Sequence, residues 1–144
     1  MFILNVLLAF FLQAPAQTII VGLVDGRQLV LESPDFSGFI ETRAGDAVLM
    51  YRQEKFQGEM SLRSVSRIDF ADYKKSKPFP VTVTLRNGQK IEVQTRRDFI
   101  VLKGRTDLGT VTIKHPDPLS TTVKLRTRKP NRQSDLTIQF LEIR

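Results

Sequence analysis

The fold is indicated most clearly by residues 81–93, which read VTVTLRNGQKIEV. Apolar residues occupy alternate positions on both sides of the dipeptide Asn87-Gly88. Such alternation is typical of a β-strand with one buried face, and Asn-Gly favours a tight hairpin turn because both turn residues take positive φ. The stretch therefore predicts an antiparallel β-hairpin.

The same pattern occurs once earlier in the chain. Residues 18–31, TIIVGLVDGRQLVL, run through Asp25-Gly26, which lies 62 positions before Asn87-Gly88. Three shorter correspondences follow: Asp35-Phe36 with Asp98-Phe99, GEMSL (58–62) with GTVTI (109–113), and RIDF (67–70) with TIQF (137–140). Because the spacing varies between these matches, two interpretations stay open: an internal duplication with loops of unequal length, or an all-β protein that reuses hairpin chemistry.

No stretch of ten or more residues in the body of the chain has apolar residues at helical spacing, so we expect about eight to ten short strands. The predicted fold class is all-β: a small antiparallel β-barrel or sandwich, built from two similar hairpin-led halves and preceded by a signal-peptide helix. The predicted boundaries are a signal peptide at 1–16, a first β module at 17–72, a charged and proline-bearing linker at 73–80, and a second β module at 81–144.

The N-terminus has the layout of a secretory signal. Residues 2–12, FILNVLLAFFL, are apolar except for Asn5, and QAPAQ follows with small residues spaced as A-x-A. We expect cleavage after Ala16, and hence a periplasmic or secreted protein. The apolar run is shorter than the roughly 17 to 25 residues of a spanning helix. The alternative is an uncleaved N-terminal helix that packs on the domain or contacts the membrane.

Composition excludes several kinds of chemistry. The chain has no Cys and one His, so disulfides, thiolate metal sites and cysteine nucleophiles are excluded. The one histidine, His115, lies in KHPDP and is predicted in a surface loop, without a nucleophile and an orienting carboxylate nearby. Phosphate-binding glycine motifs are absent. We therefore expect no enzyme activity and no cofactor.

Charge is distributed unequally along the chain. Residues 1–72 carry six Lys or Arg and nine Asp or Glu, a balance of −3, whereas residues 73–144 carry 16 basic and six acidic residues, a balance of +10. The stretch VKLRTR (123–128) alternates, which would place its basic residues about 7 Å apart on one face of a strand. The candidate anion-binding residues are Lys124, Arg126, Arg128, Lys129, Arg132, Arg96 and Arg97.

Two other interpretations of these charges stay open. The acidic and basic halves could attract one another, or the basic row could protect an edge strand from aggregation. Between residues 100 and 139 there is no aromatic residue on which bases could stack, and Phe99 is expected in the core at the position of Phe36, so nucleic acid is disfavoured. The smaller basic cluster around Lys103 and Arg105 would widen the patch.

The succession of strand, Asp-Gly or Asn-Gly, second strand, Gly-x-x-Thr/Ser-Ile/Leu and Ile-x-Phe resembles SH3-like and Sm-like small barrels, and repeated β modules of exported bacterial proteins of unassigned role. The resemblance implies a small-barrel fold but no activity. The expected function is a non-enzymatic, exported binding or scaffolding module of the bacterial cell envelope. The alternative is a binder of an anionic polymer or nucleic acid through the basic face. The expected partner is an envelope protein, an anionic polymer or lipid head groups, and the oligomeric state stays open.

Overall fold

The described residues of this computed structural model are 17–70, 80–115 and 138–144, and they form one antiparallel sheet. The predicted all-β, barrel-like fold is confirmed. The predicted signal peptide, the linker up to residue 79 and the basic residues 124–132 lie outside the described residues. Pro80, expected as the last linker residue, already begins a strand.

Eleven strands and one short 3-10 turn make up the described part of the chain. The strands are β1 (Thr18–Leu23), β2 (Gln28–Gly38), β3 (Ile40–Arg43), β4 (Asp46–Gln53), β5 (Phe56–Ser61), β6 (Val65–Phe70), β7 (Pro80–Leu85), β8 (Lys90–Thr95), β9 (Ile100–Thr106), β10 (Gly109–His115) and β11 (Ile138–Ile143). The 3-10 turn, Leu62–Ser64, joins β5 to β6.

The strands follow the order β10-β9-β2-β1-β11-β6-β7-β8-β4-β3, and β5 also pairs with β4. Phe39 links β2 directly to β3. Its backbone N–H donates to the carbonyl of Phe99 at 2.9 Å, and its own carbonyl accepts from the N–H of Met50 at 2.8 Å. These bonds bring the β3–β4 end of the sheet back to the end of β2, so the sheet curls around its own interior.

The interior is one hydrophobic cluster, to which every described strand except β5 contributes a buried residue. Ile68 on β6 and Leu141 on β11 lie opposite each other and are fully buried. Burying one such side chain stabilises the fold by about 1.5–3 kcal/mol. Because β11 pairs with both β1 and β6, the last strand of the chain joins the two sides of the core.

The sheet reads alike from both ends. We call β1, β2, β4, β5 and β6 the first strand set, and β7, β8, β9, β10 and β11 the second strand set. The sets are matched in that order, so that β1 corresponds to β7 and β6 to β11, and β5 is placed at the end of the sheet beside β4. Exchanging every strand for its counterpart then gives the same strand order read in reverse. β1 pairs with β11 as β7 pairs with β6, and β2 pairs with β9 as β8 pairs with β4.

The two leading hairpins share their register. β1 pairs with β2 from Gly22–Gln28 to Thr18–Glu32, and β7 pairs with β8 from Thr84–Lys90 to Pro80–Gln94, so every residue is matched 62 positions later. Their turns also share hydrogen bonds. The Asp25 carboxylate accepts from the N–H of Arg27 at 3.0 Å, and the Asn87 side chain accepts from the N–H of Gln89 at 2.9 Å.

The closing strands share a β-bulge. On β6, the register with β7 shifts between Val65 and Arg67. On β11, the register with β1 shifts between Ile138 and Phe140. The bulge matches Ile68 with Leu141, whereas the sequence motifs match Ile68 with Ile138. Matching Ile-x-Phe by letters overlooks the bulge, because the extra residue turns the following side chains to the other face.

The hairpins β4–β5 and β9–β10 correspond as well. Each has a two-residue turn, closed by the pair Gln53–Phe56 in one and Thr106–Gly109 in the other. This places Gly109 at the position of Phe56 rather than that of Gly58, the match suggested by the sequence. His115 then occupies the position of Leu62.

Candidate functional site

Of the predicted anion-binding residues, Arg96 and Arg97 are described, and both are exposed in the connection between β8 and β9. The backbone of this connection is fixed: the N–H of Arg96 donates to the Met50 carbonyl at 3.1 Å, and the Thr95 hydroxyl donates to the Arg97 carbonyl at 2.7 Å. The other five, Lys124, Arg126, Arg128, Lys129 and Arg132, lie outside the described residues.

Two further basic residues lie on the outward face of β9. Lys103 and Arg105 are exposed, and their cross-strand neighbours on β2 are Asp35 and Glu32. Opposite charges paired across strands contribute roughly 0.2–1 kcal/mol each. Part of the basic excess of the second strand set therefore faces acidic residues of the first.

A polar groove crosses the outward face of β11, β6, β7 and β8. It is open to solvent, has a volume of about 560 Å³, and is lined by Ser66, Arg67, Asp69, Thr84, Lys90 and Glu142. Lys90, Thr84, Arg67 and Glu142 lie side by side on four neighbouring strands. The groove therefore presents two cations, two carboxylates and the Thr84 hydroxyl to one volume.

The Arg67 side chain is held on two sides. Its Nε donates to Oδ1 of Asp69 at 2.9 Å, and its guanidinium carbon lies 3.9 Å from the centre of the Phe140 ring. Cation–π contacts contribute about 0.5–1 kcal/mol at exposed positions. Ser66 fixes the adjacent bulge by donating from its hydroxyl to the Thr84 carbonyl at 3.1 Å. Contacts within the protein thus hold both the Arg67 side chain and the bulge at the groove wall.

The matching position of the first strand set is filled. Gly22 lies opposite Phe140, and a Cβ atom added to Gly22 would overlap the Phe140 ring. The ring thus lies directly on the glycine backbone, a known way of stabilising a glycine within a sheet. At the corresponding pair of the second set, Thr84 lies opposite Arg67, which leans over Phe140 and leaves the groove open.

A different arginine shows how a fully paired cation is arranged in this molecule. Arg43 on β3 donates to Glu59 and to Glu41, both at 2.9 Å. The hydrogen bond that Arg43 donates to Glu59, followed by the one that it donates to Glu41, raises the pKa of Arg43. By contrast, none of the ion pairs formed within the described part of the chain includes Lys90.

The prediction for His115 was wrong. His115 is the last residue of β10 and is buried, with its ring centre 4.8 Å from that of Phe70. Burial lowers the pKa of His115 to about 4. The sequence was misleading because the prolines that follow His115 suggested a loop, whereas the strand continues up to the first of them.

The prediction for Phe99 was also wrong. Phe36 is buried as expected, but Phe99 is 39% exposed. It lies in the connection before β9, where its carbonyl rather than its ring holds Phe39. The two Asp-Phe dipeptides therefore differ in environment, although their letters agree.

Sequence reasoning missed the groove. Alternation identifies Thr84 and Lys90 as outward residues of one hairpin, but Arg67 and Glu142 join them only because β6 and β11 pair. The two strands are far apart in the chain, and local patterns do not report such pairing. The available signal was the set of outward polar residues on the two Ile-x-Phe strands.

No protein-family model, curated protein or solved structure matched this chain in three comparisons. Within residues 17–70, 80–115 and 138–144, no group of three or more His, Asp or Glu lies close enough together to hold a metal ion. The same residues include no helix with the length and hydropathy needed to cross a bilayer.

Proposed function

We propose that this protein is a non-enzymatic, exported binding or scaffolding module of the bacterial cell envelope. The observation that carries the proposal is the polar groove, whose wall is fixed by Arg67, Asp69 and Phe140 on a sheet built from both strand sets. Ordered polar groups on rigid strands suit binding, since little conformational entropy is lost when a ligand is held.

The first test is affinity capture from an envelope extract. The mature chain, residues 17–144, is immobilised at low salt and eluted in salt steps beside the variant Arg67→Ala/Lys90→Gln. The proposal expects a partner, identified by mass spectrometry, that the wild-type chain retains. Failure of both chains to retain any envelope component would overturn the proposal.

Export is tested by intact mass. Expressed with its own N-terminus in a secreting host, the chain should be recovered from the periplasm or medium and begin at Gln17. Recovery of a chain that still contains Met1 would favour the alternative, an N-terminal helix that stays attached.

The two strand sets are proposed to be two similar units that exchanged their leading hairpins. The shared registers of β1–β2 and β7–β8, and the bulge common to β6 and β11, support this origin. The resemblance of each unit to SH3-like or Sm-like barrels belongs to the same proposal.

Cutting the folded chain tests the interlocking of the units. A protease site inserted within residues 71–79 allows cleavage between β6 and β7. Because β1 pairs with β11 and β2 with β9, the two fragments should elute together from a gel-filtration column without denaturant. Separate elution of the fragments would contradict exchange.

A second candidate function is binding of an anionic polymer through the basic face. The exposure of Arg96, Arg97, Lys103 and Arg105 on β9 and the connection before it favours this alternative. Retention on a heparin column should fall steeply as salt rises, and should weaken when Arg96 and Arg97 are replaced by Ala. The matched control replaces Arg27 and Arg63, two exposed arginines in the β1–β2 and β5–β6 connections. Equal loss in both double variants would indicate net charge rather than a site.

A further inference from the structure

The groove is open in only one of two matching places on the outward face. Where the first strand set has Gly22 beneath the Phe140 ring, the second has Thr84 with its side chain lining the groove. Likewise, Gln28 is the counterpart of Lys90. The features that open and charge the groove are therefore specific to this place and are not imposed by the shared backbone.

The groove has a row of hydrogen-bond donors. Lys90, Thr84 and Arg67 lie on adjacent strands, which are separated by about 4.8 Å. Arg67 uses its Nε for Asp69, and its terminal nitrogens donate to no other side chain of the described residues. The ammonium group of Lys90 and the hydroxyl of Thr84, on adjacent strands, can thus bind one carboxylate, while the guanidinium of Arg67, held at Asp69 and Phe140, can donate to another oxygen of the same ligand.

The groove also has acceptors, which narrow the class of ligand. Asp69 and Glu142 contribute two carboxylates, so the lining residues carry no net charge. Carboxylates accept hydrogen bonds from hydroxyl groups and repel a chain of closely spaced negative charges. A sugar with one carboxylate and several hydroxyls satisfies both the donors and the acceptors of the groove, whereas a polyphosphate or a highly sulfated chain does not.

We propose that the groove binds an acidic saccharide of the uronic acid class. The sugar carboxylate accepts from Lys90 and Thr84, Arg67 donates to a neighbouring oxygen of the ligand, and the sugar hydroxyls donate to Asp69 and Glu142. The groove volume of about 560 Å³ falls within the usual range for small-ligand sites. This inference rests on the proposed function, since it names the ligand class of the same groove.

The experiment is a calorimetric titration of the mature chain with a galacturonic acid trisaccharide, a neutral glucose trisaccharide and polyphosphate. We expect saturable binding of the galacturonic acid trisaccharide alone. Lys90→Gln, which copies Gln28, should weaken it at least about tenfold, as expected for the loss of a charge-assisted hydrogen bond. Thr84→Val should weaken it less, because a neutral donor is lost.

The matched control is Gln28→Lys at the filled counterpart, which should leave the affinity unchanged. Lys90 and Gln28 are both exposed, so both variants should fold, as circular dichroism would verify. The inference is overturned if the wild-type chain shows no saturable binding of the acidic trisaccharide or binds polyphosphate equally well. It is also overturned if the Lys90→Gln variant binds the acidic trisaccharide with unchanged affinity. Retention of an envelope partner by Arg67→Ala/Lys90→Gln would overturn this inference while leaving the proposed function standing.

Discussion

Two matching positions on the outward face, Gly22 and Thr84, differ in whether a neighbouring side chain covers them. In one, Phe140 covers Gly22 and leaves no space between the strands. In the other, Arg67 faces Thr84, turns away to stack on Phe140, and leaves an open groove. Both pairs follow a bulge on the same backbone, so the difference lies in the side chains. Position in the sheet determines which residues face outward, and residue type determines whether they form a surface or a site.

A second contrast lies in the core. Leu62 and His115 occupy matching positions, and both are buried. Leu62 adds apolar area to the hydrophobic cluster, whereas His115 packs against Phe70, which in turn packs edge-to-face against Phe39 at 5.7 Å. One of the two matching positions is therefore sensitive to pH and the other is not.

The largest expected effect comes from acidification. His115 titrates near pH 4 in the folded chain and near its ordinary 6.5 when unfolded, because burial disfavours the charged ring. Between these values the unfolded chain binds more protons, so this contribution to stability is full above pH 6.5 and is lost as the pH falls towards 4. The loss amounts to about 3 kcal/mol, measurable by urea unfolding at several pH values.

His115→Leu copies the matching Leu62 and should remove this contribution, although carboxylate titration remains in both chains. The chain has a single histidine, so its ring-proton NMR signals give the folded-state pKa even if the variant folds poorly. A His115 titration midpoint near 6.5 in the folded protein would show that burial does not govern the group.

The next effect concerns the filled position. Gly22→Ala should destabilise the protein by about 2 kcal/mol, because the new methyl group displaces the Phe140 ring from the backbone and from Arg67. In a Phe140→Ala background the same change should stabilise by about 0.5 kcal/mol, since alanine loses less entropy than glycine. A double-mutant cycle by urea unfolding checks this sign reversal. Equal destabilisation in both backgrounds would contradict the overlap.

A smaller effect separates the two matching hairpin turns. Glu54 in the β4–β5 turn has a φ of +52°, whereas in the β9–β10 hairpin the positive φ, +98°, falls on Gly109, the first residue after the turn. A left-handed conformation costs a residue with a Cβ about 1–2 kcal/mol, so Glu54→Gly should stabilise by about 0.5–1 kcal/mol after the entropic cost of glycine. Asp107→Gly, at the matching position, should not stabilise. Thermal unfolding of the two variants makes the comparison, and equal shifts would contradict it.

The sequence predicts the parts of this fold that depend on neighbouring residues. The Asp-Gly and Asn-Gly hairpins lie where alternation places them, because a two-residue period is local. The expected turn geometry was wrong in part, since the glycines Gly26 and Gly88 take positive φ but Asp25 and Asn87 do not. The pairing of β1 with β11 is not local, and no residue of β1 specifies its distant partner. The bulge at Ser66 and the burial of His115 were missed for the same reason, since both depend on partners far away in the chain.

The smallest expected effect compares the two leading turns. The backbone N–H of Arg27 is the main cause that lowers the pKa of Asp25 below its ordinary 3.8, with the Arg27 side chain contributing less. An Arg27→Ala variant keeps that N–H, so NMR titration should still find the Asp25 pKa below 3.8. The folded-state pKa is the lower one, so the contribution of Asp25 to stability is present above pH 3.8 and fades as the pH falls below it. Asp25→Asn should abolish this titration while keeping the hairpin, because Asn87 makes the same bond in the matching turn. A return to 3.8 in Arg27→Ala would instead assign the shift to the guanidinium, and the two turns would then differ in what holds them.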